Sequence, residues 1–329
     1  MRQRLLVLIL AAALAAPLAA QTATSVFDAS AQPSAVPVQK EDQAGTTVPI
    51  RDDAHRRMTV PVRLADAGPF RFLVDTGADR TSISRQLVEA LKLRPGRPAQ
   101  LHSVTGSSRV ATATIEGLRI SADPVSAFEG PVLERDNMGA DGILALDSLR
   151  SQRILFDFRN NSMSVLPFRE RRYRDKPGTI VVRAKRRNGR LVLSHATANG
   201  ISLTLVLDTG SEMSIGNAAL KAKLDRRRAR HPEMVELQSV TGAILPGEYT
   251  ELQTLEFGGV GLENLAVVFA DAHTFKQLGL DDKPALLLGM NAMRAFDSVL
   301  IDFAGKKLRM RVPKSTKFTD LSQKSRSRL

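Results

Sequence analysis

Short apolar runs separated by polar turns dominate the pattern of this chain. Runs with strand-like alternation or length cover residues 58–64, 70–74, 81–84, 153–158 and 163–166. A short helix is predicted over residues 85–93, whose apolar side chains recur three and four positions apart and which ends before Pro95. Residues 101–113 are predicted to form a hairpin with Thr105–Ser107 at its tip. The pattern therefore predicts a mostly β fold with short helices.

The order of these features occurs twice. An apolar strand leads into Asp-Thr-Gly at residues 75–77 and again at residues 208–210, 133 positions later. A Ser-Val-Thr-Gly turn follows at residues 103–106 and at residues 239–242, 136 positions apart, and later matched features lie 144 to 146 positions apart. Offsets that only grow are those of one duplicated unit with loop insertions in its second copy. We expect two similar β-barrel lobes with a cleft between them; the alternative is two independent units, each pairing with another chain.

Composition shifts divide the chain into six predicted segments. Arg2 and Arg4 precede an apolar stretch and the small residues Leu18–Ala20, a pattern typical of a signal peptide. Residues 21 to about 48 are rich in Ala, Thr, Ser, Gln and Pro, which is typical of a disordered linker. The predicted segments are a signal peptide (1–20), a linker (21–57), an N-terminal lobe (58–168), an interlobe linker (169–178), a C-terminal lobe (179–313) and a basic tail (314–329).

The N-terminal segment also predicts where the protein functions. Its apolar stretch of about a dozen residues is shorter than the ~20 that span a bilayer, which favours cleavage over an uncleaved anchor that would tether the protein. The chain has no Cys, which excludes disulfides, thiolate catalysis and Cys-based metal sites. An exported chain without disulfides indicates a bacterial periplasm, and no integral membrane span is expected after cleavage.

The remaining composition argues against nucleic-acid, metal and cofactor sites. The formal charge is +13, but the basic runs are not interleaved with aromatic residues, so a nucleic-acid groove is poorly supported. The five histidines lack the spacing of metal ligands, and Gly258–Gly261 is not followed by the Lys of a phosphate-binding loop. We expect neither a metal nor a cofactor.

The repeated Asp-Thr-Gly carries the candidate chemistry. Asp is disfavoured in strands and costly to bury unless it is paired, and two such residues could partner each other if the lobes meet. Two carboxyl groups in contact share one proton, so the ionised Asp can take a proton from water while the protonated one donates to a scissile carbonyl. Gly77 and Gly210 would let the backbone approach these carboxylates, and the hydroxyls of Thr76 and Thr209 could bond across the junction.

On these motifs the chain resembles the retropepsin-like and pepsin-like aspartic proteases, over residues 58–313. The resemblance implies that Asp75 and Asp208 are the catalytic pair and that residues 104–109 and 240–247 are flaps closing over an extended polypeptide. It implies substrate contacts for Asp79 and Glu212, four residues beyond each catalytic Asp. The full set of expected substrate-binding residues is Ala78, Asp79, Ser211, Glu212, Val104, Thr105, Gly106, Val240, Thr241 and Gly242.

The implied function is an endopeptidase that hydrolyses peptide bonds of envelope or periplasmic proteins, acting as a monomer with pseudo-twofold symmetry. Two departures from the family pattern support a different hypothesis, a peptide-binding module without turnover. Ala145 stands where the family has the glycine of an apolar-apolar-glycine triplet, and the first flap lacks the tyrosine of pepsins.

Overall fold

The computed structural model describes residues 46–49, 51–52, 57–120, 126–149, 152–167, 175, 178–225 and 233–313. The predicted signal peptide, residues 21–45 of the predicted linker, most of the interlobe linker and the basic tail lie outside this part of the chain. The described residues confirm the predicted fold class, two barrel-like β lobes with a few short helices. None of their helices is long and apolar enough to cross a membrane.

The first half of the chain supplies thirteen of the described strands and three helices. In chain order these are β1 (Thr46–Pro49), β2 (Arg51–Asp52), β3 (Met58–Leu64), β4 (Ala67–Val74), β5 (Ser82–Ser84), α1 (Arg85–Ala90), β6 (Ala99–Ser103), β7 (Gly106–Val110), β8 (Thr112–Ile115), β9 (Leu118–Arg119), β10 (Phe128–Leu133), α2 (Arg135–Met138), β11 (Gly142–Leu144), α3 (Leu146–Leu149), β12 (Gln152–Asp157) and β13 (Ser162–Pro167). The predicted strand over 58–64 is confirmed residue for residue. The predicted helix over 85–93 is shorter; Ser84 Oγ caps its start by accepting from Leu87 N at 3.2 Å.

The second half of the chain repeats this order. Its elements are β14 (Thr179–Arg183), β15 (Lys185–Arg187), β16 (Arg190–Ala198), β17 (Ile201–Leu207), β18 (Ser214–Gly216), α4 (Ala218–Asp225), β19 (Glu233–Gln238), β20 (Ile244–Phe257), β21 (Val260–Phe269), α5 (His273–Gln277), β22 (Ala285–Leu288), α6 (Met290–Met293), β23 (Ser298–Asp302) and β24 (Lys307–Arg311). We call β6 with β7 the N-terminal flap, and β19 with residues 239–249 the C-terminal flap.

The strand pairings at the centre of each lobe are the same. In the N-terminal lobe β4 pairs in parallel with β11, β11 is antiparallel to β5, and β5 is parallel to β10. In the C-terminal lobe β17, β22, β18 and β21 pair in the same directions and order. Strands buried on both faces are nearly continuous apolar runs, as in β22 with its four buried residues Ala285–Leu288. The duplicated sequence pattern therefore builds duplicated topology.

A third sheet joins the two lobes. It is antiparallel, with the order β1-β13-β12-β23-β24-β14, so that strands of the first half lie beside strands of the second. Ile154 and Phe156 alternate into a core shared with both lobes, and Arg153 Nε donates to the buried Asp302 carboxylate at 3.1 Å across the β12–β23 boundary. The two halves thus form one two-lobe body rather than two independent units.

The predicted linker over 21–57 is wrong at its C-terminal end. Thr46–Pro49 pairs with β13, with Thr46 opposite Val165, and Arg51–Asp52 pairs with β3. Both strands are held by backbone hydrogen bonds to an existing edge, which a short polar segment can make without any apolar periodicity of its own. The composition of this segment therefore did not predict its two strands.

Candidate active site

Each Asp-Thr-Gly begins where a central parallel strand pair ends. In the N-terminal lobe Val74 lies opposite Leu144, and the next amide, Asp75 N, donates to Leu144 O at 2.9 Å. In the C-terminal lobe Asp208 N makes the corresponding bond to Leu288 O at 3.1 Å. Because the flanking strands are buried and paired on both sides, they place the two aspartates at rigid positions.

The two loops meet through reciprocal hydrogen bonds of their threonines. Thr76 Oγ1 donates to Leu207 O at 3.1 Å and accepts from Thr209 N at 3.1 Å. Thr209 Oγ1 donates to Val74 O at 2.7 Å and accepts from Thr76 N at 3.0 Å. Both threonines are buried, so these four bonds satisfy backbone groups that could not reach water. The two threonine hydroxyls thus join the loops by hydrogen bonds across the junction.

The glycines bring each carboxylate against the opposite loop. Asp75 Oδ1 accepts from Gly77 N at 2.7 Å and Ala78 N at 3.0 Å, and Asp208 Oδ1 accepts from Gly210 N at 3.1 Å. A Cβ on Gly77 would lie 2.6 Å from Asp208 Oδ1, and one on Gly210 would lie 2.2 Å from Asp75 Cγ. Each carboxylate therefore occupies space that only glycine leaves free in the other loop, and the two carboxyl groups share one small site.

The electrostatics of the pair follow from burial and proximity. Burial raises the pKa of Asp75 above its ordinary value, although hydrogen bonds from the Gly77 and Ala78 amides and the charge of Arg190 oppose this. Burial, and secondly the charge of Asp75, raises the pKa of Asp208 to about 7. A carboxyl group that keeps a proton up to neutral pH beside a second carboxyl is the arrangement that a shared-proton pair requires.

A second layer of polar contacts supports each loop, and the sequence reasoning missed it. In the N-terminal lobe Thr81 donates to the Asp147 carboxylate from its amide at 3.0 Å and its hydroxyl at 2.6 Å. In the C-terminal lobe Ser214 donates to Asn291 Oδ1 from its amide at 3.0 Å and its hydroxyl at 2.9 Å. Asp147 and Asn291 lie 144 positions apart, one of the duplication offsets, so the repeat contained a usable signal for this pair.

Ala145 fits where a glycine was expected. Its amide donates to Thr81 Oγ1 at 3.1 Å, as the Gly289 amide donates to Ser214 Oγ at 3.1 Å in the other lobe. Ala145 is fully buried, whereas a Cβ on Gly289 would lie 2.5 Å from Met213 O. Alanine at this position therefore keeps the hydrogen bond that supports the first loop.

Arg190, on β16 of the second half, is a further residue that the sequence reasoning missed. Its Nε donates to Gly77 O at 2.8 Å and its guanidinium lies 3.4 Å from the Asp79 carboxylate, both in the first half. Arg190 is buried, while 59% of the Asp79 side chain is exposed. Asp79, expected to contact substrate, is thus also an ion-pair partner across the lobes.

The other expected substrate-binding residues beside the aspartates hold helices through their backbones. Ala78 O accepts from Leu146 N at 3.1 Å, and Ser211 O accepts from Met290 N at 2.9 Å. The carbonyl of Glu212 accepts in the same way from Asn291 N at 2.9 Å. These contacts fix the loops after each Asp-Thr-Gly; the substrate contacts expected of these residues stay a prediction.

The flap tips lie against the opposite lobes. Val104 packs on a C-terminal-lobe cluster that includes Phe275, and Val240 packs on an N-terminal-lobe cluster that includes Met138 and Ala78. The two tips have related turns: Ser103 Oγ lies 3.0 Å from the Thr105 hydroxyl and Ser239 Oγ lies 2.7 Å from the Thr241 hydroxyl. The next residue in each turn, Gly106 or Gly242, has a positive φ. In the described part of the chain, no three His, Cys, Asp or Glu side chains lie close enough to hold a metal ion together.

Comparison with known families agrees with this geometry. Residues 60–151 match the model of the gag-polyprotein putative aspartyl protease, and residues 194–292 match the model of an aspartyl protease family. A search of curated proteins finds no match. Each matched range contains one Asp-Thr-Gly and the strands that deliver it. With one aspartyl protease domain in each half, the chain belongs to the retropepsin-like aspartyl proteases.

Proposed function

We propose that the protein is an aspartic endopeptidase in which Asp75 and Asp208 act as one proton-sharing pair. The observation that carries the proposal is the junction of the two loops, where reciprocal threonine bonds hold two carboxyl groups of raised pKa in one site. The family membership supports hydrolysis of peptide bonds in general.

The reaction follows from the protonation state of the pair. With one proton between them, the ionised carboxylate takes a proton from a bound water, which attacks the carbonyl carbon of the scissile peptide. The protonated carboxyl donates to the carbonyl oxygen as the tetrahedral intermediate forms, and proton return to the amine completes cleavage. The amides of Gly77 and Ala78 hold the Asp75 carboxylate in position through two hydrogen bonds.

We infer that the substrate is an extended polypeptide of the bacterial envelope or periplasm. An extended chain suits a cleft roofed by hairpins, because backbone bonds hold it while pockets contact alternate side chains. The export pattern of residues 1–20 supports the location, with an uncleaved, tethered form as the alternative. N-terminal sequencing of the protein recovered from the cell envelope distinguishes these two forms. A start after Ala20 supports cleavage, and an intact Met1 supports the tether.

The decisive test is cleavage of an unfolded protein by purified, folded variants at pH values from acid to neutral. Asp75→Asn and Asp208→Asn should each abolish turnover, and the double variant should be no worse, because residues that act as one unit are non-additive. Asp157→Asn is the matched control, since this carboxylate accepts within its own turn, from Arg159 N and Asn160 N at 3.1 Å and from Asn160 Nδ2 at 2.8 Å. Asp302 is unsuitable as a control, because it is buried and paired with Arg153 across the lobes.

Two results would contradict the proposal. Substantial cleavage by either the Asp75 or the Asp208 variant would refute the proton-sharing pair. A folded wild-type protein that binds peptides tightly but cleaves none at any pH would favour the binding module instead. Ala145, one of the two departures on which that alternative depended, keeps its hydrogen bond to Thr81 and gives the binding module no structural support.

A further inference from the structure

Each flap is fastened to the opposite lobe by a side-chain pair. In the N-terminal flap, His102 Nδ1 lies 3.1 Å from His273 Nε2 on α5, and the two rings stack with centroids 5.4 Å apart. In the C-terminal flap, Gln238 Nε2 donates to Asn137 Oδ1 on α2 at 3.3 Å. Both contacts are exposed to solvent, and they belong to no part of the proposed chemistry.

The two pairs occupy equivalent positions of the duplicated unit. Gln238 follows His102 by 136 positions, and His273 follows Asn137 by the same number, which is also the offset between the flap turns. The same cross-lobe contact is therefore made twice, once between two histidines and once between two amides. The amide pair carries no titratable group, whereas both members of the histidine pair can gain a charge.

Protonation affects the two contacts differently. A hydrogen bond between two imidazoles needs a protonated nitrogen on one ring and a lone pair on the other, which the neutral and singly protonated pairs both provide. When both rings are protonated, two N–H groups and two positive charges face each other at 3.1 Å, and the bond is replaced by repulsion. Gln277 Nε2, also 3.1 Å from His273 Nε2, cannot offset a second charge because it is neutral.

The surrounding charges do not compensate a doubly protonated pair. Those on β7, on α5 with its flanking loops, and on the turn before β16 are Arg109, Arg187, Asp271, Lys276, Asp281, Asp282 and Lys283. Four of these seven groups are positive and three are negative, and Lys276 already pairs with Asp271 at 3.0 Å. Histidine changes charge between about pH 5 and 8, whereas Gln and Asn do not. Of the two flap contacts, only the histidine pair therefore responds to mild acid.

We propose that His102 and His273 form a pH-dependent latch on the N-terminal flap. At neutral pH the latch holds the flap on α5, together with the bond from His273 N to Val104 O at 2.8 Å and the burial of Val104. In mild acid, double protonation shifts the flap toward an open state, while the amide pair keeps the C-terminal flap docked. The claim that the opened cleft admits a peptide rests on the proposed function, whereas the movement of the N-terminal flap does not.

The test measures the flap directly and needs no turnover. The chain has no Cys, so Ser108→Cys on β7 and Lys283→Cys after α5, both at exposed positions, give two unique sites for spin labels. Pulsed electron–electron double resonance then reports the distance between the two labels at about pH 8 and about pH 5. We expect one short separation at pH 8 and a growing long-distance component at pH 5.

The amide pair of the other flap supplies the matched variant. His102→Gln with His273→Asn installs it in the N-terminal flap, and this variant should keep the short separation at both pH values. His102→Gln alone should also lose the pH response, which covers the case where the double variant does not fold. Asp208→Asn, which removes a carboxyl group whose pKa is raised to about 7, should open in acid as the wild type does.

The outcomes separate the explanations. An unchanged separation in the wild type between the two pH values overturns the latch, as does acid opening in the folded amide variants. Loss of the response in Asp208→Asn, with its persistence in the amide variants, would assign the movement to the aspartate pair and also overturn it. Inactive protein with a working latch would instead contradict only the proposed proteolysis.

Discussion

Replacing Asp208 by Asn should stabilise the protein at neutral and alkaline pH. Burial and the neighbouring Asp75 raise the pKa of the Asp208 carboxyl from 3.8 to about 7. A raised carboxyl pKa means that the folded state binds the proton more tightly than the unfolded state does. The folded wild type therefore loses stability as the pH rises from the pKa of the unfolded state to that of the folded state. The Asn variant does not ionise at this position, so its stability lacks this loss.

The magnitude follows from the displacement of that pKa. Roughly three units at about 1.4 kcal/mol per unit give an upper value of about 4 kcal/mol at pH 8. Asn keeps the Oδ1 that accepts from Gly210 N at 3.1 Å, so this hydrogen bond remains. Near pH 4 the wild-type carboxyl is protonated in the fold, and the difference between the two proteins should become small.

Urea unfolding followed by far-ultraviolet circular dichroism at about pH 4, 6 and 8 measures this difference. The gain in free energy of unfolding should grow with pH and reach a plateau above about pH 7. Asp157→Asn, at the turn where Asp157 accepts from Arg159 N, should cost a little stability and show no such growth. A gain for Asp208→Asn that stays flat or falls with rising pH would refute the buried, proton-sharing pair.

Three further predictions concern the groups around the pair. Thr209→Val removes two buried bonds, of 2.7 and 3.0 Å, and at about 1–3 kcal/mol for each group left unpaired it should cost about 2–6 kcal/mol in urea unfolding; a loss below about 1 kcal/mol would contradict this. Gly210→Ala should abolish peptide cleavage because its Cβ would lie 2.2 Å from Asp75 Cγ, whereas Gly261→Ala, with no atom within 4 Å of the added Cβ, should leave cleavage intact. Arg190→Met removes a charge that lowers the pKa of both aspartates, so the alkaline limb of the kcat/KM profile should move to higher pH. Arg190→Lys, which keeps the charge, should leave the limb near its wild-type position, and an unmoved limb in Arg190→Met would contradict the assignment.

Local sequence was sufficient for several strands of the first half and for the two candidate aspartates. An apolar run that ends in Asp-Thr-Gly is a short-range pattern, and its recurrence at residues 75–77 and 208–210 identified both the duplication and the residues that meet at the junction. Alternation over residues 58–64 predicted β3 with its observed bounds, because one face of that strand is buried along its whole length.

Contacts between the lobes needed the tertiary structure. Arg190 reaches Asp79 over 111 positions and His102 reaches His273 over 171, and no periodicity along the chain connects residues so far apart. The strand over Thr46–Pro49 depends on the β13 edge for its backbone partners, so its own composition could not predict it. The raised pKa of Asp208 likewise follows from burial and from the nearness of Asp75, and both exist only once the two lobes have closed on each other.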